Sequence, residues 1–296
     1  MIVQQIALVR HTDALSADEV LAVSAAIQKQ VTRDFAPIWN VDATVDPFLS
    51  LDQVPIGYCR VLVVDDTNRP EPGVHETEDN KPFALVTYRE DWETLASHEI
   101  LEMLADPTLD RRVAGDSPHP EQGRVEFLVE VCDPCQAQDF GYSVNGRWMS
   151  DFYTPAYFDP IAATGVRYSF QGSLTGPRQV LRGGYLSWRV PETGEFWMKK
   201  VTGGTEKFVQ LPTGTVPSGG NLRGHVDRFV ESAKSGVGRP GRPAGRGTRR
   251  KHARRQLEET RKAMVAEANA LRKQLVSLGV ALFEPGNCKS GSMGSG

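Results

Sequence analysis

A chain of 296 residues with 40% hydrophobic and 24% charged side chains has the make-up of a water-soluble globular protein, with room for one large core or two smaller ones. Four cysteines (Cys59, Cys132, Cys135, Cys288) are too few for a disulfide framework, and no apolar run approaches the roughly 20 residues needed to span a bilayer, so no membrane partner is expected. The net charge of −3 hides a split: residues 221–289 hold 16 Lys/Arg against 6 Asp/Glu, residues 1–220 hold 18 against 31, and the two parts are expected to meet different partners.

The stretch IVQQIALV (2–9) reads as a first strand. Its apolar run is short and lacks both a basic leader and a small-residue cleavage site, so no signal peptide and a cytoplasmic location are expected. Ser16-Ala-Asp-Glu19 forms a capping box that opens a helix to about Phe35, with Val20, Val23, Ile27 and Val31 at helical spacing. Extended segments are predicted near 41–46, 58–65 and 82–88, with Gly and Pro clustered at 70–73 between the last two. A helix follows over 91–106, stopped by Pro107. Residues 108–123 read as a polar loop, 125–131 as a strand by alternation, Cys132-Asp-Pro-Cys135 as a turn, and 140–153 as a hairpin about Asn145-Gly146. Short strands over 165–202, with a turn at Pro191–Gly194, complete an antiparallel layer.

Beyond about 213 the composition changes. Residues 237–255 (VGRPGRPAGRGTRRKHARR) are too rich in Gly, Pro and Arg to build a core and read as a flexible basic linker. Eight Lys/Arg within 239–255 suit salt-dependent contact with nucleic acid or another acidic partner, or self-docking onto the acidic first part. Leu257, Met264, Leu271 and Leu278 recur every seven residues, flanked by Ala268, Leu275 and Leu282, as in a coiled-coil seam that could drive self-association through residues 257–282. The closing residues 286–296 are expected to be a disordered tail.

Chemistry concentrates in SHEILEMLADP (97–107). On a helix His98 and Glu102 lie about 40° apart around the axis and converge, Asp106 follows one step along, and Glu99 points about 100° away. An imidazole and a carboxylate on one rigid face suit a metal ion, and an offset carboxylate suits a general base. These charges sit among Leu95, Ala96, Ile100, Leu101, Met103 and Leu104, where burial without a partner is costly.

The run His98-Glu99-Ile100-Leu101-Glu102 resembles the His-Glu-x-x-His signature of the zincin metallopeptidases, with Glu where the second His is expected. The element order over about residues 1–160 is similar too. The resemblance implies an α+β fold over about residues 1–160, a zincin-like mixed sheet with a backing helix and an active-site helix; composition and periodicity add a β-rich extension (161–215), the basic linker (216–252) and an amphipathic helix (253–285). It implies a zinc-dependent hydrolase acting on peptides or proteins, with Zn2+ or another divalent metal held by His98, Glu102 and a downstream ligand, and Glu99 as base. Glu130 ranks first for that ligand, then Asp133, then Asp106, with a Cys132 thiolate as rival. Asp106 or Asp133 could orient His98, and Tyr142, Tyr153 or Tyr157 could hydrogen-bond an oxyanion.

Two other readings stand beside this one. Arg10-His11 resembles the Arg-His motif of histidine phosphatases, with Thr12 in place of Gly; of the second Arg and His pair that family has late in the domain, only Gly224-His225 offers a histidine, in a region without core pattern. The other is a catalytically silent zincin-like scaffold that assembles a nucleoprotein or phage particle through the linker and last helix, virion-associated. His75 and His119 fall in Pro/Gly-rich loops and read as solvated.

Overall fold

A computed structural model of the chain describes residues 3–69, 71–78 and 81–211. The expected linker, amphipathic helix and tail, together with His225, lie outside the described residues.

β1 (Gln4–Arg10) is central to the first sheet, and Ile6, Ala7, Leu8 and Val9 are all fully buried, as a strand covered on both faces requires. The Ser16 hydroxyl accepts from the Glu19 amide while the Glu19 carboxylate accepts from the Ser16 amide, which closes both sides of the capping box at the start of α1 (Ala17–Lys29). Its buried stripe Val20, Val23, Ile27 lies in the same apolar core as β1. The helix continues, as the sequence predicts, but Gln30–Phe35 is π-helical before a short α2 (Ala36–Trp39). Asn40 ends it in the left-handed conformation.

Four strands then follow where three were expected: β2 (Ala43–Phe48), β3 (Cys59–Val64), β4 (Gly73–Glu78) and β5 (Lys81–Thr87). The sheet order is β2-β1-β3-β5-β4, parallel throughout except for β4, which runs antiparallel on the edge beside β5. The Gly/Pro cluster noted at 70–73 runs into β4, whose first residue is Gly73.

α3 (Trp92–Ala105) packs against β3, β4 and β5. Residues 112–116, predicted as loop, form β6 (Arg112–Asp116), which pairs with β7 (Arg124–Leu128). The hairpin about Asn145-Gly146 is β8 (Tyr142–Val144) and β9 (Arg147–Met149); φ of 51° and 76° at its two turn residues explains why Asn and Gly stand there. β10 (Tyr185–Arg189), β11 (Phe196–Thr202) and β12 (Thr205–Gln210) complete an antiparallel sheet of order β12-β11-β10-β7-β6. The fold is thus mixed α+β, with a mixed sheet, an antiparallel sheet and few helices. Because β7 pairs with β10, strands from both sides of residue 160 share one sheet, and one apolar core runs from Ile6 through Phe127 to Trp188. No helix among the described residues is long and apolar enough to cross a membrane.

The capping box is local to the start of α1, so Ser16→Ala should lower unfolding free energy by about 1 kcal/mol in urea denaturation, with an unchanged m-value.

Candidate metal centre

α3 is enclosed on every side: 12 of its 14 residues are buried, Ser97, His98, Glu99 and Glu102 among them. That follows from its make-up, since Ala96, Ile100, Leu101, Met103 and Leu104 cover more of the helix surface than a single apolar stripe would. The polar residues of this helix are therefore interior groups and need interior partners.

His98 and Glu102 find one another, with His98 Nε2 3.1 Å from Glu102 Oε2. The same nitrogen lies 3.3 Å from Asp133 Oδ1. Glu130 joins Glu102 and Asp133 in a group whose oxygens are mutually within 4.8 Å, and Cys132 Sγ, His98 and Glu102 form a second such group. The segment after β7 supplies these residues: Val129 and Val131 anchor it in the core, and Asp133–Cys135 is a tight 3-10 turn. Two hydrogen bonds clamp the turn, Leu181 N–H to Pro134 O at 2.9 Å and Gln136 Nε2 to Gly183 O at 2.8 Å. Gly184 allows that approach, because a Cβ there would stand 2.6 Å from Asp133 O. The Cys132 amide donates to Glu102 Oε1 at 3.1 Å, so both carboxylate oxygens of Glu102 are engaged.

The residue that sequence reasoning set aside is His75. It is no solvated loop histidine: it is 0% exposed on β4, with Nδ1 3.3 Å from Glu99 Oε2 and 3.8 Å from Glu102 Oε2. His75, Glu99 and Glu102 form a third group with ligand-type atoms within 4.8 Å. GVHETE gave no alternating signal, because the successive residues Val74 and His75 are both buried, and the preceding Pro and Gly masked the strand.

The electrostatics match this packing. Burial alone would push the His98 imidazole down, but Glu102, Asp133 and Glu99 more than offset it and hold His98 well above the usual histidine range. Burial, with Glu102 close by, pushes the Cys132 thiol well up, and burial does the same for Cys135. Both are neutral thiols here, and CDPC serves as the turn that carries Asp133.

Other predicted residues go elsewhere. Asp106 does not join these groups; its carboxylate accepts the amides of Asp110 at 3.2 Å and Arg111 at 3.0 Å and so fixes the loop leaving α3. Tyr142 is drawn to the opposite side of α3, where its hydroxyl donates to Asp34 Oδ2 at 2.9 Å and accepts from Gln30 Nε2 at 3.1 Å. Gln30, in the π-helical segment, also donates to Ser150 O and accepts from the Ser97 hydroxyl, which in turn accepts the Ser150 amide. This network holds the residue next to His98 in place. Tyr153 is fully buried, stacked on Tyr157 with ring centroids 4.4 Å apart. Its hydroxyl makes no hydrogen bond among the described residues. Burial first, then Tyr157, Glu130, Glu102 and Asp133, push that hydroxyl well up, so it stays a neutral O–H donor near the carboxylates. The Tyr157 hydroxyl donates to Gln179 O. His11 is exposed at the end of β1, and Arg10 pairs with Asp13 at 3.6 Å. His119 packs between Trp197 and Phe208.

Comparison with protein families, with characterised proteins and with solved structures finds no match to this chain. The donor set must therefore be judged on its chemistry. Two donors about 2.0–2.1 Å from one tetrahedral zinc stand roughly 3.3 Å apart. The His98–Glu102 and His98–Asp133 separations, 3.1 and 3.3 Å, are of that size. Imidazole with carboxylates is also a donor mixture that zinc accepts. Three groups of close donor atoms share Glu102, namely with His98 and Cys132, with Glu130 and Asp133, and with His75 and Glu99, and each could hold a divalent ion.

Tyr142→Phe should cost about 1–3 kcal/mol in urea denaturation, because it leaves buried Asp34 and Gln30 each short of a partner. It should leave metal content unchanged. A loss of metal on this substitution would place Tyr142 at the site after all.

Proposed function

We propose that the protein is a zinc-dependent hydrolase of zincin-like architecture acting on peptide bonds, with His98, Glu102 and Asp133 holding the ion, Glu130 beside them and Glu99 as general base. The observation that carries this reading is the pair of contacts that His98 Nε2 makes at 3.1 and 3.3 Å with two carboxylates inside the core. The order of β1, α1, a sheet with an antiparallel edge strand, and then the helix bearing His98-Glu99 supports the zincin-like assignment.

A bound divalent ion supplies Lewis acidity, polarising a carbonyl and making water a nucleophile near neutral pH. The chain supplies the rest. Glu99, offset along α3 from His98 and Glu102, accepts the proton of the attacking water and passes it to the leaving amine. Tyr153, neutral and buried near Glu130 and Asp133, is the O–H donor available to a developing oxyanion. The Cys132 amide and the clamped 133–135 turn fix the carboxylates, so that the ion's position does not depend on mobile side chains.

A second reading draws on the enclosure of the same cluster. His98 and Glu130 are only 7% exposed and Glu102 is 0% exposed, and closed metal sites commonly serve stability. In that reading the chain is a metal-stabilised, catalytically silent scaffold.

Purified protein should carry about one zinc per chain by elemental analysis, and His98→Ala should abolish it. Glu99→Gln separates the two readings. The hydrolase reading expects metal and melting temperature to persist while hydrolysis of labelled casein falls by about 10²–10⁴-fold; the scaffold reading expects no hydrolysis in either protein.

A further inference from the structure

We infer that β4 is a positioning strand for the general base, with His75 holding the Glu99 carboxylate and Gly73 leaving the space that the carboxylate occupies. The inference rests on the hydrolase reading and deepens it. Residues 73 and 75 are two apart on one strand and so present the same face. Both address one side chain. His75 Nδ1 stands 3.3 Å from Glu99 Oε2, and a Cβ added at Gly73 would stand 2.7 Å from Glu99 Oε1. One position thus grips the first oxygen and the other makes room for the second.

The strand itself is fixed. β4 pairs with β5 along its whole length, from Gly73 opposite Val86 to Glu78 opposite Lys81. The turn before it is held by Thr67, whose hydroxyl donates to Glu71 O at 2.8 Å, and by Arg69, which pairs with Glu76 at 3.1 Å. β5 leads directly towards α3, so base and positioning strand share one rigid support. A general base works only if its oxygen lies within hydrogen-bond reach of the proton it removes, and fixing it beforehand avoids reorganisation during the reaction. His75 Nδ1 stands 3.3 Å from Glu99 Oε2 and 3.8 Å from Glu102 Oε2. The zinc content of His75 variants therefore tells a positioning group from a ligand.

Three variants in the full chain test this: His75→Ala, which removes the contact; His75→Asn, whose amide nitrogen falls near the place of Nδ1; and Gly73→Ala, which crowds Oε1. With labelled casein, His75→Ala and Gly73→Ala should lower kcat by about 10–100-fold with KM little changed, and His75→Asn should recover most of the loss. All three should keep the zinc content of the wild type. Crystals of zinc-loaded His75→Ala should show the Glu99 carboxylate swung away from its wild-type place. An unmoved Glu99 would overturn the inference whatever the activity, as would unchanged kcat. Loss of zinc in His75→Ala, or two zinc ions in the wild type falling to one, would make His75 a ligand and overturn it too. Wild-type protein that binds no zinc removes the hydrolase reading itself and this inference with it. If His75→Ala fails to fold, the His75→Asn and Gly73→Ala pair decides: full activity in both overturns the proposal, and a loss confined to Gly73→Ala supports it.

Discussion

Everything at the centre of this molecule is arranged around a carboxylate with no access to water. Glu102 sits on the inner face of α3, takes the Cys132 amide on one oxygen, and meets His98 and, at longer range, His75 on the other. A buried carboxylate tolerates such a place only if its surroundings stabilise the charge. Here three separate pieces of chain do so: the helix itself, the edge strand β4 and the segment after β7. Each reaches Glu102 from its own direction, so the carboxylate ties the mixed sheet, α3 and the antiparallel sheet to one point.

The second constraint is rigidity. The residues that meet at Glu102 come from ordered backbone: a 14-residue helix, a strand paired along its length and a 3-10 turn clamped by residues 181–184. Behind α3, the Gln30–Ser97–Ser150 network fixes the helix from the side away from the cluster. Polar networks that are fully satisfied specify one arrangement of a core. The π-helical segment that aims Gln30 at this network is the local irregularity that makes it work.

Much of this was legible in the sequence, and the parts that were not share a cause. The capping box at Ser16, the apolar run of β1, the Asn145-Gly146 turn and the helix over 92–105 each declare themselves through residues close together in the chain. The convergence of His98 and Glu102 follows from helical geometry alone. Strand β4 and its His75 do not show in that way, because Pro and Gly beside them point to a turn, and only the pairing with β5 and burial under α3 turn the segment into a strand. Strand β6 hides similarly: RVAGD has little apolar character, and its pairing with β7 defines it. Tyr142 was tied to the site by its place downstream of Glu130 and Asp106 by helical spacing, yet Tyr142 answers to Asp34 and Gln30, and Asp106, just past the end of α3, to the amides that follow it. Local rules place elements; which buried polar groups meet is settled by tertiary packing.

The central claim is that the cluster around Glu102 exists to hold a divalent ion. Anomalous diffraction from wild-type crystals, recorded on both sides of the zinc absorption edge, tests it most directly. The account predicts one strong peak that disappears below the edge, within bonding distance of His98 Nε2 and of oxygens from Glu102 and Asp133. Crystals grown with added zinc that show no peak there, with His98 still in direct contact with both carboxylates, would contradict it.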